Sequence, residues 1–100
     1  HRVQTVLRDM TPDSILTEAA ELVRGARAQQ HGDYIKLQSR IAELWSAYLD
    51  TSISASQVAF CMTLVKVARD EVGDFNPDDG KDAAAYTALW AALSYQEHTS

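Results

Sequence analysis

Three pairs of charged residues stand at helical spacing in this chain: Glu18 with Glu21, Lys66 with Arg69, and Asp78 with Asp82. Residues three or four apart share one face of a helix, so each pair presents two like charges together. Two carboxylates that close repel unless a cation lies between them. The Glu18/Glu21 pair therefore asks for a metal ion or a basic partner, and Arg24 and Arg27, further along the same segment, are candidates for simple neutralisation. Lys66 and Arg69 sit in the most apolar stretch of the sequence, where a cation without a partner is costly. That partner is either internal, from Asp78 or Asp82, or external, such as a phosphate. Asp78 and Asp82 fall at a helix start, where the helix dipole favours carboxylates, with Tyr86 one turn later on the same face. His31-Gly32-Asp33 is a polar turn before a helix, a place where backbone N–H groups receive anions.

The charge is concentrated. Residues 70–82 hold six acidic residues against Lys81 alone, a sum of -5 that equals the net charge of the whole chain. The segment reads as a solvated acidic loop or as a cation site that also holds a phosphate. Asp74-x-Asn76-x-Asp78 imitates the opening of a calcium loop, but Asp79 stands where glycine is needed and Ala85 where the bidentate glutamate belongs. An EF-hand is excluded on those grounds. No P-loop, dinucleotide fingerprint or G-x-S-x-G elbow is present, and Cys61 is the only cysteine, so neither a disulfide framework nor a cysteine-based zinc site is available.

The elements that must position these residues read as helices. Thr11-Pro12-Asp13-Ser14 is a start signal, and Ile15, Ala19, Leu22, Val23 and Ala26 follow with helical spacing, weakened late by Gly25. A second helix is expected over 34–49, capped by Asp33, with Tyr34, Leu37, Ile41, Leu44, Trp45 and Tyr48 as its inward stripe. Ser54-Ala55-Ser56-Gln57 is a capping box that opens a third helix over about 55–71. It is apolar on most of its circumference, as a central helix would be. A fourth helix is expected from about Lys81 or Asp82 to Gln96, with Tyr86, Leu89, Trp90 and Leu93 inward. No segment alternates with a two-residue period. The expectation is an all-α fold, a small antiparallel four-helix bundle around the third helix, with residues 1–10 as an arm and 11–97 as one domain.

One hundred residues, 46% of them hydrophobic, make one small domain. A bundle of this size often completes its core with a second copy, so a homo-oligomer is expected. The acidic balance argues against direct nucleic-acid binding, which needs surplus Lys and Arg. The apolar runs, such as Val58–Met62 and Ala88–Leu93, are far short of the roughly 20 residues of a membrane span. No signal-peptide pattern opens the chain, so a soluble, intracellular protein is expected.

The motif order Arg27-x-x-x-His31-Gly32-Asp33, Arg40-Ile41-Ala42-x-x-Trp45, Lys66-x-x-Arg69 and Asp78-x-x-x-Asp82-x-x-x-Tyr86 resembles a group of small, uncharacterised all-helical phage and prophage proteins, over about residues 14–93. That group in turn looks like a distant relative of the MazG and dUTPase-like all-α nucleotide pyrophosphohydrolases. The resemblance implies a protein of the host-cell cytoplasm that cleaves a nucleoside triphosphate to the monophosphate and pyrophosphate with magnesium. Glu18 and Glu21 match the first metal-binding element of those enzymes. The second, Glu-x-x-Asp, has no counterpart, because Ser46 follows Glu43 at that spacing; Asp78 and Asp82 would take its place. Glu18, Glu21, Asp78 and Asp82 would then hold Mg2+. Lys66 and Arg69 would neutralise the phosphates, and His31, Asp33 and Tyr86 would contact the nucleotide. Two other readings are compatible with the same residues. One is a helical interaction module without catalysis, such as a phage inhibitor or adaptor of a host protein. The other is a buried ion-pair network of Lys66, Arg69, Asp78 and Asp82 that only fixes the last two helices together.

Overall fold

A few side chains that satisfy unpaired backbone groups set the helix boundaries. The computed structural model describes residues 10–25 and 34–99. It contains four helices, α1 (Pro12–Arg24), α2 (Tyr34–Leu49), α3 (Ala55–Val72) and α4 (Pro77–Thr99), and no strand among the described residues. The expected arm before Met10 and the turn at residues 31–33, with its Asp33 cap, lie outside those residues.

At the start of α1, the Thr11 hydroxyl accepts from the Ser14 N–H at 3.1 Å, and the Ser14 hydroxyl oxygen accepts from the Thr11 N–H at 2.9 Å. Gly25 ends the helix by donating its N–H to the Glu21 carbonyl at 2.8 Å. A Cβ there would lie 2.9 Å from that oxygen, which explains the glycine. The capping box at Ser54 is formed as expected, with Gln57 Oε1 accepting from the Ser54 N–H at 2.9 Å. The end of α2 is unusual. Asp50 adopts φ 54°, and the Thr51 N–H reaches back to the Ser46 carbonyl at 3.1 Å. This is a left-handed cap of the Schellman kind, with aspartate where glycine is usual. The Ser46 hydroxyl also bonds both backbone groups of Ile53, accepting at 2.9 Å and donating at 3.2 Å, and so clamps the turn into α3.

The fourth helix begins earlier than Lys81. Asn76 Oδ1 accepts from the Asp78 N–H at 3.0 Å, Pro77 takes the first helical position, and Asp78 and Asp79 fill the first turn. Asn-Pro-Asp-Asp is thus the same start signal as Thr-Pro-Asp-Ser in α1. The helix also runs to Thr99, past Gln96.

Helix α4 is antiparallel to α3. Cross-links run in order along the pair: Ser56 to Glu97, Thr63 to Thr87 at 3.1 Å, Lys66 to Asp82 at 3.0 Å, and Arg69 to Asp79 at 3.4 Å. Helix α1 packs on α4 and α2 on α3, so α3 and α4 share the centre that was expected of α3 alone. Ala59, Leu89 and Leu93 form the core cluster, with Tyr34, Ile35, Ala55 and Tyr86 packed against it. The inward side of α2 differs from the expected stripe. Ala42 and Gln38 are buried, Tyr34, Ile41 and Trp45 are half-buried, and Leu37, Leu44 and Tyr48 are exposed, Tyr48 at 87%. Trp90, expected inward, is 38% exposed and leans on Phe60 with ring centroids 5.2 Å apart. The small Ala42 admits close approach, and the larger residues are left on the flank. Gln38 brings a buried side-chain oxygen that has no hydrogen-bond partner among the described residues.

The left-handed Asp50 gives a direct test. An L-residue there pays a steric cost that glycine does not, so Asp50→Gly is expected to raise stability by about 0.5–1 kcal/mol, read as a higher denaturant midpoint at unchanged slope.

Candidate functional site

Helices α1 and α4 bring four carboxylates to one place. Glu18, Glu21, Asp78 and Asp82 line a cavity of about 370 Å3 together with Leu22 and Lys81. The cap at Thr11 phases α1 so that Ala19 is buried and Glu18 and Glu21 flank it towards α4. The cap at Asn76 likewise places Asp78, Lys81 and Asp82 on one side of the first turns of α4.

Lys81 lines this cavity and bridges two of its carboxylates. Its ammonium donates to Glu18 Oε1 at 2.9 Å and is paired with Asp78 Oδ1 at 3.1 Å. The hydrogen bonds to Glu18 and then to Asp78 hold its pKa above the ordinary 10.5, against a smaller opposing effect of burial. Asp82 is paired with Lys66 at 3.0 Å, both side chains about four-fifths buried. Glu21 makes no ion pair among the described residues. Lys81 was not singled out from the sequence as a site residue, yet the signal was there: it is the lone cation in the acidic stretch 70–82.

The two cations of α3 diverge. Lys66 reaches the carboxylate cavity through Asp82, and its stem also lines a second, largely apolar cavity of about 420 Å3 with Ile15, Val67, Phe75 and Ala83. Arg69 turns instead to Asp79, in a groove with Val65, Val72 and Gly73. Asp79, 5% exposed, is the most buried charged side chain described. Tyr86 packs against the core cluster and is not among the residues lining the carboxylate cavity. Glu43 pairs with Arg40 at 3.0 Å on the exposed side of α2. His31 and Asp33 lie outside the described residues.

Whether these carboxylates suit magnesium is a matter of donor chemistry and arrangement. Hard carboxylate oxygens are the right donors. No group of three or more His, Cys, Asp or Glu is arranged as a metal cage among the described residues, and the Lys81 ammonium stands where a cation would sit between Glu18 and Asp78. Magnesium, however, is commonly bound by one or two carboxylates plus substrate phosphates rather than by an all-protein cage.

Helices and cavity together define a small all-helical domain with an ion-paired acidic site between its first and last helices. The chain belongs to the family described as Domain of unknown function (DUF6378), whose profile matches residues 14–94. It is 36% identical over 85 residues to the Gene 55 protein of Mycobacterium phage L5, covering 84% of this chain and 54% of that protein. It is 38% identical over 74 residues to the Gene 55 protein of Mycobacterium phage D29, covering 74% of this chain and 49% of that protein. The chain thus spans about half the length of these curated relatives. No solved structure matches it. The resemblance to a family of phage proteins is thereby established, whereas none of these relatives supports the likeness to MazG. Among the described residues no helix is long and apolar enough to cross a membrane.

Two outcomes test this electrostatic arrangement. A lysine whose pKa is raised on folding contributes stability below its ordinary pKa and loses it as pH rises through the raised value. Lys81→Met is therefore expected to cost about 1 kcal/mol at neutral pH, given partial solvent screening. The gap to the wild type should hold to about pH 10 and close above it, as measured by denaturant midpoints at several pH values. Lys66→Met takes the ammonium away from the mostly buried Asp82 and should cost about 2 kcal/mol, most of it recovered in Lys66→Met/Asp82→Leu. A loss in the double variant equal to the sum of the Lys66→Met and Asp82→Leu losses would show that the pair is not coupled.

Proposed function

We propose that this domain handles nucleotides in the host-cell cytoplasm, binding a nucleoside triphosphate as its magnesium complex, with hydrolysis to the monophosphate and pyrophosphate as the reaction. The observation that carries this reading is the convergence of Glu18, Glu21, Asp78 and Asp82, from helices at opposite ends of the chain, on one cavity. Glu18 and Asp78 meet across Lys81 in that cavity, Asp82 is held by Lys66, and Glu21 lines the same space.

In this reading Glu18, Glu21, Asp78 and Asp82 hold the ion. Magnesium supplies polarisation of a phosphoryl oxygen and a more acidic bound water. Lys81 keeps Glu18 and Asp78 from repelling one another before the ligand arrives. It then stands within reach of the phosphates as a donor. Lys66 holds Asp82 in place from α3. The apolar cavity along the other side of Lys66 is the adjoining space for the less polar part of the ligand. The exposed apolar side of α3 favours a second reading, an interaction module without catalysis, which differs in requiring no nucleotide.

Isothermal titration with magnesium and a panel of nucleoside triphosphates separates the two. The expected result is magnesium-dependent heat with at least one triphosphate, accompanied by pyrophosphate release. Glu21→Gln is the informative variant, because Glu21 stands apart from the described ion pairs. It should weaken magnesium-dependent binding about tenfold with an unchanged melting temperature. A folded protein giving no heat with any triphosphate would remove the nucleotide reading.

A further inference from the structure

Helix α3 is apolar nearly all round, but neighbours cover only part of it. Val58 and Ala59 are fully buried, and Thr63 and Lys66 face α4. On the outward side, Val65 and Val67 are nearly half exposed, Leu64 just over half and Val72 almost nine-tenths. Phe60 and Trp90, each about two-fifths exposed, continue this surface onto α4 through their ring contact. At 100° per residue these α3 positions fall within about half of the helix circumference. The only charged residue on that arc is Glu71, at its far end.

The exposed parts of Phe60, Leu64, Val65, Val67, Val72 and Trp90 amount to about 500 Å2, taking about 150–200 Å2 for a fully exposed large side chain. A standard interface takes about 800 Å2 from each partner, and homodimer interfaces are about 65% apolar, a need of about 520 Å2. The two agree. The core points the same way. The buried hydrophobic residues described are four alanines, one valine and two leucines. Cores that thin are usually completed by association. With Glu71 on it and Arg69 at its edge, the latter paired with Asp79, this surface can meet its own copy across a two-fold axis with few opposing like charges.

We propose that the outward side of α3, from Phe60 to Val72, is the interface of a homodimer, packed against the same face of a second copy, with the Phe60–Trp90 pair as its aromatic anchor. The contact is isologous and leaves the carboxylate cavity between α1 and α4 outside the interface, while Val67 borders the apolar cavity beside Lys66.

Analytical ultracentrifugation of the full chain tests this. The wild type is expected at twice 11.1 kDa at concentrations up to about 100 μM. Leu64→Glu is expected to sediment as the single chain with its helical circular dichroism retained. Should that variant unfold, Val72→Lys decides. Its side chain is almost wholly exposed, so it leaves the single-chain fold alone and is expected to weaken the dimer at least about tenfold. A folded wild type at 11.1 kDa throughout the range overturns the proposal and gives the face to a different partner. A dimer indifferent to Val72→Lys overturns the assignment of the face.

Discussion

The fixed antiparallel register between α3 and α4 is the constraint on which the other contacts depend. Ser56, Thr63, Lys66 and Arg69 descend one helix as Glu97, Thr87, Asp82 and Asp79 ascend in reverse order on the other. Apolar packing alone would tolerate sliding, since alanines and valines are nearly interchangeable against one another. Polar pairs do not slide, because a shift of one turn would leave Asp79, which is almost fully buried, without its guanidinium. Once that register is set, the first turns of α4 are held against the end of α3, and α1 can dock on them.

The electrostatics of the carboxylate cavity follow from this frame. Lys66 takes Asp82 from one side, while Lys81 draws Glu18 and Asp78 together from the other. Two lysines thus offset part of the charge of the four carboxylates, with Glu21 the least engaged of them. The ion-pair network expected as a purely structural alternative is formed in part: Lys66 pairs with Asp82, but Arg69 pairs with Asp79 rather than with Asp78 or Asp82. Network and binding site are not competing descriptions, since the same pairs that hold the helices also set the charge presented to a ligand.

Much of this was legible in the residues, for physical reasons. Helical periods and caps are local, so α2 and α3 could be bounded almost to the residue, and the capping box at Ser54 was read directly. The start of α4 was missed because the acidic stretch looked like a loop, although Asn76-Pro77 carries the same signal as Thr11-Pro12. The convergence of Glu18 and Glu21 with Asp78 and Asp82 was also anticipated, from charge that needed partners. Lys81 is marked in the sequence only as the lone cation of the stretch 70–82, and its pairing with Glu18, a contact spanning 63 positions, is not recorded by any local pattern. The inward side of α2 was misread for a related reason. Periodicity selects large apolar residues, whereas close helix approach selects Ala42 and leaves Tyr48 outside.

The carboxylate of Glu97 accepts both the backbone N–H and the hydroxyl of Ser56, at 3.0 and 2.6 Å. The opening turn of α3 is therefore finished by a residue 41 positions later. During synthesis, α3 leaves the ribosome with its own capping box but without this second seal, which arrives only with the last turns of α4. The two ends of the helical pair close as a single late event, and until then the first turn of α3 remains the natural point of fraying for the nascent chain.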